Sequence, residues 1–145
     1  MKKIIIINGP NLNLLGSREQ DVYGKNSLED IKKKCLDISM KLNLECFFYQ
    51  SNNEGEIINY IQSVQNDFDG LIINPAAFTH TSVAILDALR SVEKPKIEIH
   101  ISNIYTREEY RKKSITSEGV DGLICGFGSL SYILAVEALD KLIYK

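Results

Sequence analysis

The sequence predicts a single α/β domain in which a five-stranded parallel sheet lies between two layers of helices. Short apolar runs, each bounded by turn residues or charges, alternate along the chain with stretches of helical spacing. Continuous apolar runs are typical of parallel strands, because helices cover both faces of such a sheet. The 145 residues contain no long linker and no internal repeat, so we predict one catalytic domain over residues 1–145.

The first strand is predicted at residues 4–8, an apolar run that ends at Gly9-Pro10. Four later segments share its length, its apolar content and its type of boundary, and we predict that each is a strand of the same sheet. These segments are residues 44–49, 70–74, 96–101 and 122–125.

Four stretches between and after these strands place apolar residues at the i+3 and i+4 spacing of a helix. The first stretch follows Ser27, which is placed to act as its N-cap, with Asp30 in position to complete a capping box. The four apolar stripes are Leu28, Ile31, Cys35, Ile38 and Leu42; Ile57, Ile58, Ile61 and Val64; Val83, Leu86 and Leu89; and Leu130, Ile133, Leu134, Ala138 and Leu139.

Consecutive β-then-α units imply right-handed crossovers, which place helices on both faces of one parallel sheet. We therefore expect a flavodoxin-like three-layer sandwich with strand order 2-1-3-4-5. In such sheets ligands bind beyond the carboxyl ends of the strands, near the point where the strand order reverses. The polar residues predicted at that edge are Asn8, Asn11, Asn74, His100 and Ser102.

The composition argues against several classes of protein. A net charge of -2 indicates no basic surface for nucleic acid. The longest apolar run, residues 4–7, is far shorter than the ~20 residues of a membrane helix, and no signal peptide opens the chain, so we expect a cytoplasmic protein. Cys35, Cys46 and Cys125 lack Cys-x-x-Cys spacing, which predicts mostly buried free thiols. With two histidines and no His-x-x-x-His pair, we expect no metal site.

Glu98 and His100 lie two residues apart in the predicted fourth strand, so both side chains point to the same face. A carboxylate beside an imidazole can set its tautomer and favour the protonated form that a general acid needs. The alternative is a hydrogen-bonded core histidine. His80, between Thr79 and Thr81, is either a site residue or part of a hydrogen-bonded cap on the third helix.

Two polar segments supply further candidates. Residues 17–24 form a polar loop bracketed by glycines, with Arg18 and Tyr23 five residues apart. This loop either contributes residues to the site or is an ordinary solvated loop. Permissive backbone at both ends and little apolar surface predict that residues 17–25 form a lid that is mobile in the empty protein and ordered by ligand. Residues 105–113 carry Arg107 and Arg111 one helical turn apart, and their default interpretation is a solvated charged turn.

A flavodoxin-like module that binds nucleotide or flavin is the competing hypothesis. Residues 9–16 lack the Gly-rich pattern that holds phosphate after a first strand, and the glycine turn at residues 126–131 follows the last strand and lacks a third glycine. A receiver-type signalling domain is a second alternative, but no acidic pair follows the first strand to hold a divalent ion.

Four blocks of the sequence together resemble the type II 3-dehydroquinate dehydratases. The blocks are residues 9–24 ending in DVYG, residues 69–89 with INPAAFTHTS, residues 98–114 with EIHISN and REEYR, and residues 121–139 with ICGFG. They occur in the family's order and cover about residues 3–140. Leu86 and Ser131 depart from the family, where arginine and glycine are usual, but neither is a catalytic position.

The resemblance implies a cofactor-free trans-elimination of water from 3-dehydroquinate, which gives 3-dehydroshikimate through an enolate in the shikimate pathway or in quinate breakdown. It implies that Tyr23 is the base, acting as tyrosinate, and that Arg18 favours this ionised form. A free tyrosine has a pKa of about 10, so a nearby cation is required. His100 would be the general acid with Glu98 as its orienting partner, and Asn11 would position a water that stabilises the enolate.

The resemblance also implies how the substrate is bound and how the chains assemble. Backbone amides of Ile101 and Ser102 would bind the substrate carboxylate. The side chains implied to hold the carboxylate and ring hydroxyls are Asn74, His80 and Arg111. Asp87 matches a binding position that reaches a neighbouring subunit's site, and the implied assembly is a homododecamer of four trimers. No nucleic acid or membrane partner is expected.

Overall fold

A computed structural model describes residues 1–17 and 19–145. Five strands form one parallel sheet in the order β2-β1-β3-β4-β5, which confirms the predicted topology. The strands are β1 (Lys2–Asn8), β2 (Leu44–Gln50), β3 (Gly70–Asn74), β4 (Lys96–His100) and β5 (Gly122–Cys125). Each predicted strand is present, with its ends within two residues of the prediction.

The helices are α1 (Gln20–Tyr23), α2 (Leu28–Lys41), α3 (Glu54–Asp67), α4 (Val83–Arg90) and α5 (Leu130–Ile143). Helices α2 to α5 correspond to the four predicted stretches, whereas the single turn of α1 was not predicted. The predicted capping box at the start of α2 is confirmed, because Ser27 Oγ accepts from the Asp30 amide and the Asp30 carboxylate accepts from the Ser27 amide.

The alternation of side chains along β1 explains the two helix layers. Ile4 and Ile6 pack in the cluster formed with α2 and α5, whereas Ile5 and Ile7 pack in the cluster formed with α3 and α4. All four are fully buried, and burial of one such side chain contributes about 1.5–3 kcal/mol. A continuous isoleucine run is therefore what a strand buried on both faces requires.

The strand order reverses at the carboxyl end of β1. The chain leaves β1 to form β2 on one side and later returns to form β3 on the other side, where Asn8 and Asn74 are register partners. The loops that follow these strands lie in close contact, because a Cβ atom on Gly9 would lie 2.4 Å from the Pro75 carbonyl oxygen. Only glycine fits this approach, which brings the two loops together at one edge of the sheet.

Within the described ranges, no helix is long and apolar enough to cross a membrane.

All three cysteines are free thiols, with Cys35 buried and Cys46 and Cys125 half-buried, as their spacing predicts. Burial raises the pKa of each thiol, to about 11 for Cys46 and about 11 for Cys125. The three thiols are therefore protonated at neutral pH and are poor nucleophiles.

Candidate active site

A cleft opens at the carboxyl ends of β1, β3 and β4, where the strand order predicts a ligand site. Residues from the loops after these three strands line it, together with Tyr23 of α1. Eight of the residues predicted from the sequence line the cleft: Asn11, Tyr23, Asn74, His80, His100, Ile101, Ser102 and Arg111. The folded chain therefore brings together residues that are as much as 100 positions apart in sequence.

His100 and Glu98 form a buried pair at the end of β4. His100 Nε2 lies 2.8 Å from Glu98 Oε2, and the two residues are 5% and 0% exposed. Glu98 also accepts hydrogen bonds from Ser114 Oγ at 2.8 Å and from Thr116 Oγ1. Ser114 Oγ in turn accepts from the Ser117 amide, so its own proton is directed to Glu98.

This arrangement fixes the tautomer of His100. Because the Glu98 carboxylate acts as an acceptor, His100 Nε2 carries a proton. Nδ1 is then the ring nitrogen that takes or releases a proton, and it carries one only in the imidazolium form. His100 is buried and hydrogen-bonded, as the alternative of a core histidine states, and it also lines the cleft.

Tyr23 contacts a cation from another part of the chain. Arg107 Nη1 donates to Tyr23 Oη at 2.8 Å, and the Arg107 guanidinium lies 5.1 Å from the centre of the Tyr23 ring. The positive charge of Arg107 therefore lies directly beside the phenol oxygen of Tyr23. Arg18, to which the family resemblance assigns the role of favouring tyrosinate, lies outside the described residues, and its role stays a prediction.

Sequence reasoning did not assign a role to Arg107. Both Arg107 and Arg111 line the cleft, so the default interpretation of residues 105–113 as a solvated turn is wrong for these two side chains. The spacing of one helical turn between the two arginines was the sequence feature that could have indicated a shared role. The segment consists of two short 3-10 turns, Ile104–Thr106 and Glu109–Arg111, and Arg111 Nε lies 2.7 Å from Glu108 Oε2.

His80 offers the cleft a hydrogen-bond acceptor. Its Nδ1 lies 2.8 Å from the Lys113 carbonyl oxygen, which only accepts, so Nδ1 carries the proton. Burial lowers the pKa of His80, although the bond to Lys113 acts in the opposite direction. A neutral ring with a proton on Nδ1 leaves Nε2 as an acceptor for a hydroxyl. The cap on α4 is Ser82, whose Oγ accepts from the Ile85 amide at 2.9 Å.

Two residues beside the cleft have a left-handed backbone conformation, which is rare for residues other than glycine. Asn11 has φ 68° and Ala76 has φ 53°, and each follows a strand that ends at the cleft. Such positions are costly and cluster at functional sites, where the surrounding structure holds them in place. The Asn11 amide donates to Asn52 Oδ1 at 2.9 Å, which supports this turn.

Within residues 1–17 and 19–145, no group of three or more His, Cys, Asp or Glu side chains is arranged to hold a metal ion.

Comparison with known proteins identifies the family. The model of the class II dehydroquinases matches residues 2–140. The chain belongs to the class II dehydroquinase family.

Relatives agree with this assignment over the full length of the chain. The 3-dehydroquinate dehydratase of Clostridium acetobutylicum is 50% identical over 143 residues, with 99% of each chain covered. The 3-dehydroquinate dehydratase of Caldanaerobacter subterraneus is 52% identical over 142 residues, which cover 98% of this chain and 96% of that protein.

Solved structures of the family have the same fold. The type II dehydroquinase of Butyrivibrio crossotus superposes with a TM-score of 0.94 at 47% identity, and covers 96% of this chain and 97% of its own. The type II dehydroquinase of Propionibacterium acnes also has a TM-score of 0.94, at 38% identity, and covers 97% of both chains.

One predicted site residue lies apart from the family site in this chain. Asp87 is exposed on α4 and does not line the cleft of its own chain. Its neighbours on the helix, Leu86 and Ala88, are buried, so Asp87 faces away from the core. Any role of Asp87 in the site of a neighbouring chain stays a prediction.

Proposed function

We propose that this chain removes water from 3-dehydroquinate by trans-elimination and forms 3-dehydroshikimate through an enolate. The observation that carries the proposal is the pair of proton-transfer groups in one cleft, each with its own charged partner. Tyr23 is bound by Arg107, and His100 is bound by Glu98. Full-length similarity to dehydratases of the class II family supports the same reaction.

The first chemical step is removal of the proton beside the substrate ketone. Tyr23 Oη, as tyrosinate, takes this proton, and the electron pair of the C–H bond forms the enolate. Arg107 stabilises the anionic phenol oxygen before the transfer, because its guanidinium donates directly to that oxygen. Asn11, which lines the cleft, holds a water that donates to the enolate oxygen in this proposal.

The second step is loss of the hydroxyl on the neighbouring carbon. The enolate electrons form the carbon–carbon double bond, and the C–O bond breaks as His100 Nδ1 donates a proton to the departing oxygen, giving water. Glu98 stabilises the imidazolium form of His100 that this step consumes. Proton transfer from Tyr23 to His100 through solvent restores both groups for the next turnover.

The remaining residues of the cleft provide binding and orientation. His80 Nε2 accepts from a ring hydroxyl, whereas Arg111 and the Ile101 and Ser102 amides offer positive charge and donors to a carboxylate. Asn74 contributes a further polar contact. Small hydroxylated acids match this set because they combine one anionic group with several hydroxyls.

The direct test is a turnover assay with purified protein and 3-dehydroquinate, in which the ultraviolet absorbance of the conjugated product is followed. We expect full activity in the presence of chelator and no lysine adduct after borohydride treatment with substrate. Activity that is lost in chelator, or a trapped adduct on lysine, would contradict the proposed chemistry. A flavin spectrum in the purified protein would favour the competing binding module.

Replacement of the two proton-transfer groups tests their roles. Tyr23→Phe and His100→Ala should each lower kcat by at least ~100-fold, the lower end of a general acid or base contribution. Tyr144→Phe is the matched control, because Tyr144 is exposed at the end of α5 and does not line the cleft. A near-native rate in either cleft variant would show that its assignment is wrong.

The proposed assembly is a homododecamer of four trimers. Exposed apolar side chains beside the free edge of β5, among them Leu123, Phe127 and Leu130, support self-association. Light scattering on the purified protein should give twelve chains of 16.4 kDa, about 197 kDa. A mass of one chain would contradict this assembly. The cytoplasmic location stays a prediction.

A further inference from the structure

Three buried side chains beneath the cleft form a continuous hydrogen-bonded chain. Asn8 ends β1, Asn74 ends the neighbouring β3, and Tyr132 lies in the first turn of α5. Tyr132 Oη donates to Asn8 Oδ1 at 2.6 Å and accepts from Asn74 Nδ2 at 3.1 Å. Asn8 and Tyr132 are 0% exposed and Asn74 is 3% exposed, and of the three only Asn74 lines the cleft.

The direction of this chain is fixed independently from both of its ends. At one end, the Tyr49 carbonyl can only accept, so the nitrogen of the Asn8 amide faces it at 2.9 Å and the Asn8 oxygen faces Tyr132. At the other end, the Ala76 amide can only donate, so the Asn74 oxygen faces it at 3.2 Å and the Asn74 nitrogen faces Tyr132. The tyrosine hydroxyl, which both donates and accepts, joins the two halves without conflict.

We propose that Asn8 and Tyr132 are positioning residues that hold the Asn74 amide in one orientation for substrate recognition. In this orientation one Asn74 N–H bonds Tyr132 and the oxygen receives the Ala76 N–H, so the second N–H is the donor that Asn74 offers to a ligand. The matching group on the substrate is an oxygen acceptor, either a hydroxyl or a carboxylate. The inference rests on the proposed function in one respect, the binding of substrate by Asn74.

A reversed Asn74 amide would lose both of its present bonds. Its oxygen would face the Tyr132 hydroxyl oxygen, whose proton is already donated to Asn8, and its NH₂ group would face the Ala76 N–H. Both pairs repel, and buried polar groups that lose their partners are destabilised. The chain from β1 through α5 therefore selects the donor orientation of a side chain on β3.

The test is steady-state kinetics with 3-dehydroquinate on four proteins: wild type, Tyr132→Phe, Asn74→Ala and the double variant. Tyr132→Phe removes one oxygen atom and frees the Asn74 nitrogen from its partner. We expect KM to rise about 5- to 10-fold, the equivalent of about one hydrogen bond, with a smaller change in kcat. In the Asn74→Ala background, Tyr132→Phe should have no further effect on KM.

Tyr60→Phe is the control, because Tyr60 lies on α3 in the opposite layer and its loss of an oxygen atom should leave KM unchanged. KM does not depend on the fraction of folded enzyme, so lower stability of Tyr132→Phe does not obscure the result. Asn8→Ala interrupts the same chain at its other amide and should also raise KM. An unchanged KM in Tyr132→Phe, or an equal rise with and without the Asn74 side chain, would overturn the positioning role.

A crystal structure of ligand-free Tyr132→Phe separates this inference from the proposed function. We expect the Asn74 amide, which then keeps only the Ala76 N–H as a partner, to be displaced or to occupy more than one position. An Asn74 side chain that keeps its position and that bond would overturn the inference whatever the reaction. Wild-type protein that does not dehydrate 3-dehydroquinate would contradict the proposed function alone.

Discussion

Two hydroxyl groups behind the cleft hold the carboxylate that orients His100. Glu98 is fully buried, and a buried carboxylate is stable only when its oxygens receive hydrogen bonds. Ser114 and Thr116 supply two of these bonds from the segment between Arg111 and β5. Their roles could not be predicted, because no spacing along the sequence shows that residues 16 and 18 positions later reach Glu98.

Replacement of Thr116 tests this support. Thr116→Val keeps the shape of the side chain but removes a donor to a buried charge, which should lower the free energy of unfolding by about 1.5–3 kcal/mol. We also expect kcat to fall while KM changes little, because His100 acts on the departing hydroxyl and does not determine binding. Thr116→Ser retains the hydroxyl and should restore kcat. Equal values of kcat in the Val and Ser variants would show that the hydroxyl has no positioning role.

The protonation of His80 gives a pH-dependent effect on stability. Because burial lowers the pKa of folded His80, the unfolded chain binds the proton at higher pH than the folded chain does. The contribution of neutral His80 is therefore complete above the unfolded pKa of about 6.5 and is lost as the pH falls through the folded pKa. Urea unfolding at fixed protein concentration should show a steeper loss of stability below that pH in wild type than in His80→Gln.

Parallel pH profiles of stability for the two proteins would contradict a neutral, half-buried His80. Substrate binding gives a second readout of the same group. Protonated His80 has no acceptor nitrogen, so KM for 3-dehydroquinate should rise as the pH falls through the pKa of folded His80. His80→Gln should lack this dependence on pH.

At the scale of elements, the spacing of apolar residues along the sequence predicted the strands and helices that the core buries. The run from Ile4 to Ile7 and the stripe of Ile57, Ile61 and Val64 match the strand and helix that they form, because core packing selects these patterns. Helix α1 has no such pattern, since it is a single turn and its one aliphatic residue, Val22, is exposed. The orientation of Arg107 could not be predicted from the sequence either, because side-chain directions in short 3-10 turns depend on the surfaces against which the turns pack.

The segment that carries Tyr23 ends at a glycine with a positive φ angle. Gly24 has φ 82° and ψ -177°, a region that other residues enter at a cost of about 1–3 kcal/mol. An added Cβ atom would meet nothing within 4 Å, so any effect of Gly24→Ala comes from the backbone. The predicted mobility of residues 17–25, which include Arg18 outside the described residues, stays a prediction.

Gly24→Ala should lower kcat/KM at least ~5-fold, because strain of this size displaces the residue that precedes it, Tyr23. Gly122→Ala is the matched control: its added methyl group also meets nothing within 4 Å, and its φ is ordinary. We expect the control to retain wild-type kcat/KM. If both variants are equally active, the turn at Gly24 does not set the position of the base.

At the scale of the whole molecule, the cleft of one chain holds the proposed acid and the proposed base but not every predicted contact. The cleft contains Tyr23 and His100, whereas Asp87 faces outward from α4. In a closed symmetric assembly, a residue that projects from one chain can complete the site of the next chain, and every chain both gives and receives the contact. Self-association would then be a condition for activity.

Mixed assemblies of two inactive variants test this shared site. Tyr23→Phe lacks the base, and we expect Asp87→Asn to lack a contact that a neighbouring chain needs. If the two residues meet in one site from different chains, dissociation and joint reassembly of equal amounts should restore up to about one quarter of wild-type activity, since that share of sites combines two intact residues. Each variant reassembled alone is the control. No recovery in mixtures that have the mass of the wild-type assembly would place Asp87 in the site of its own chain or outside the site.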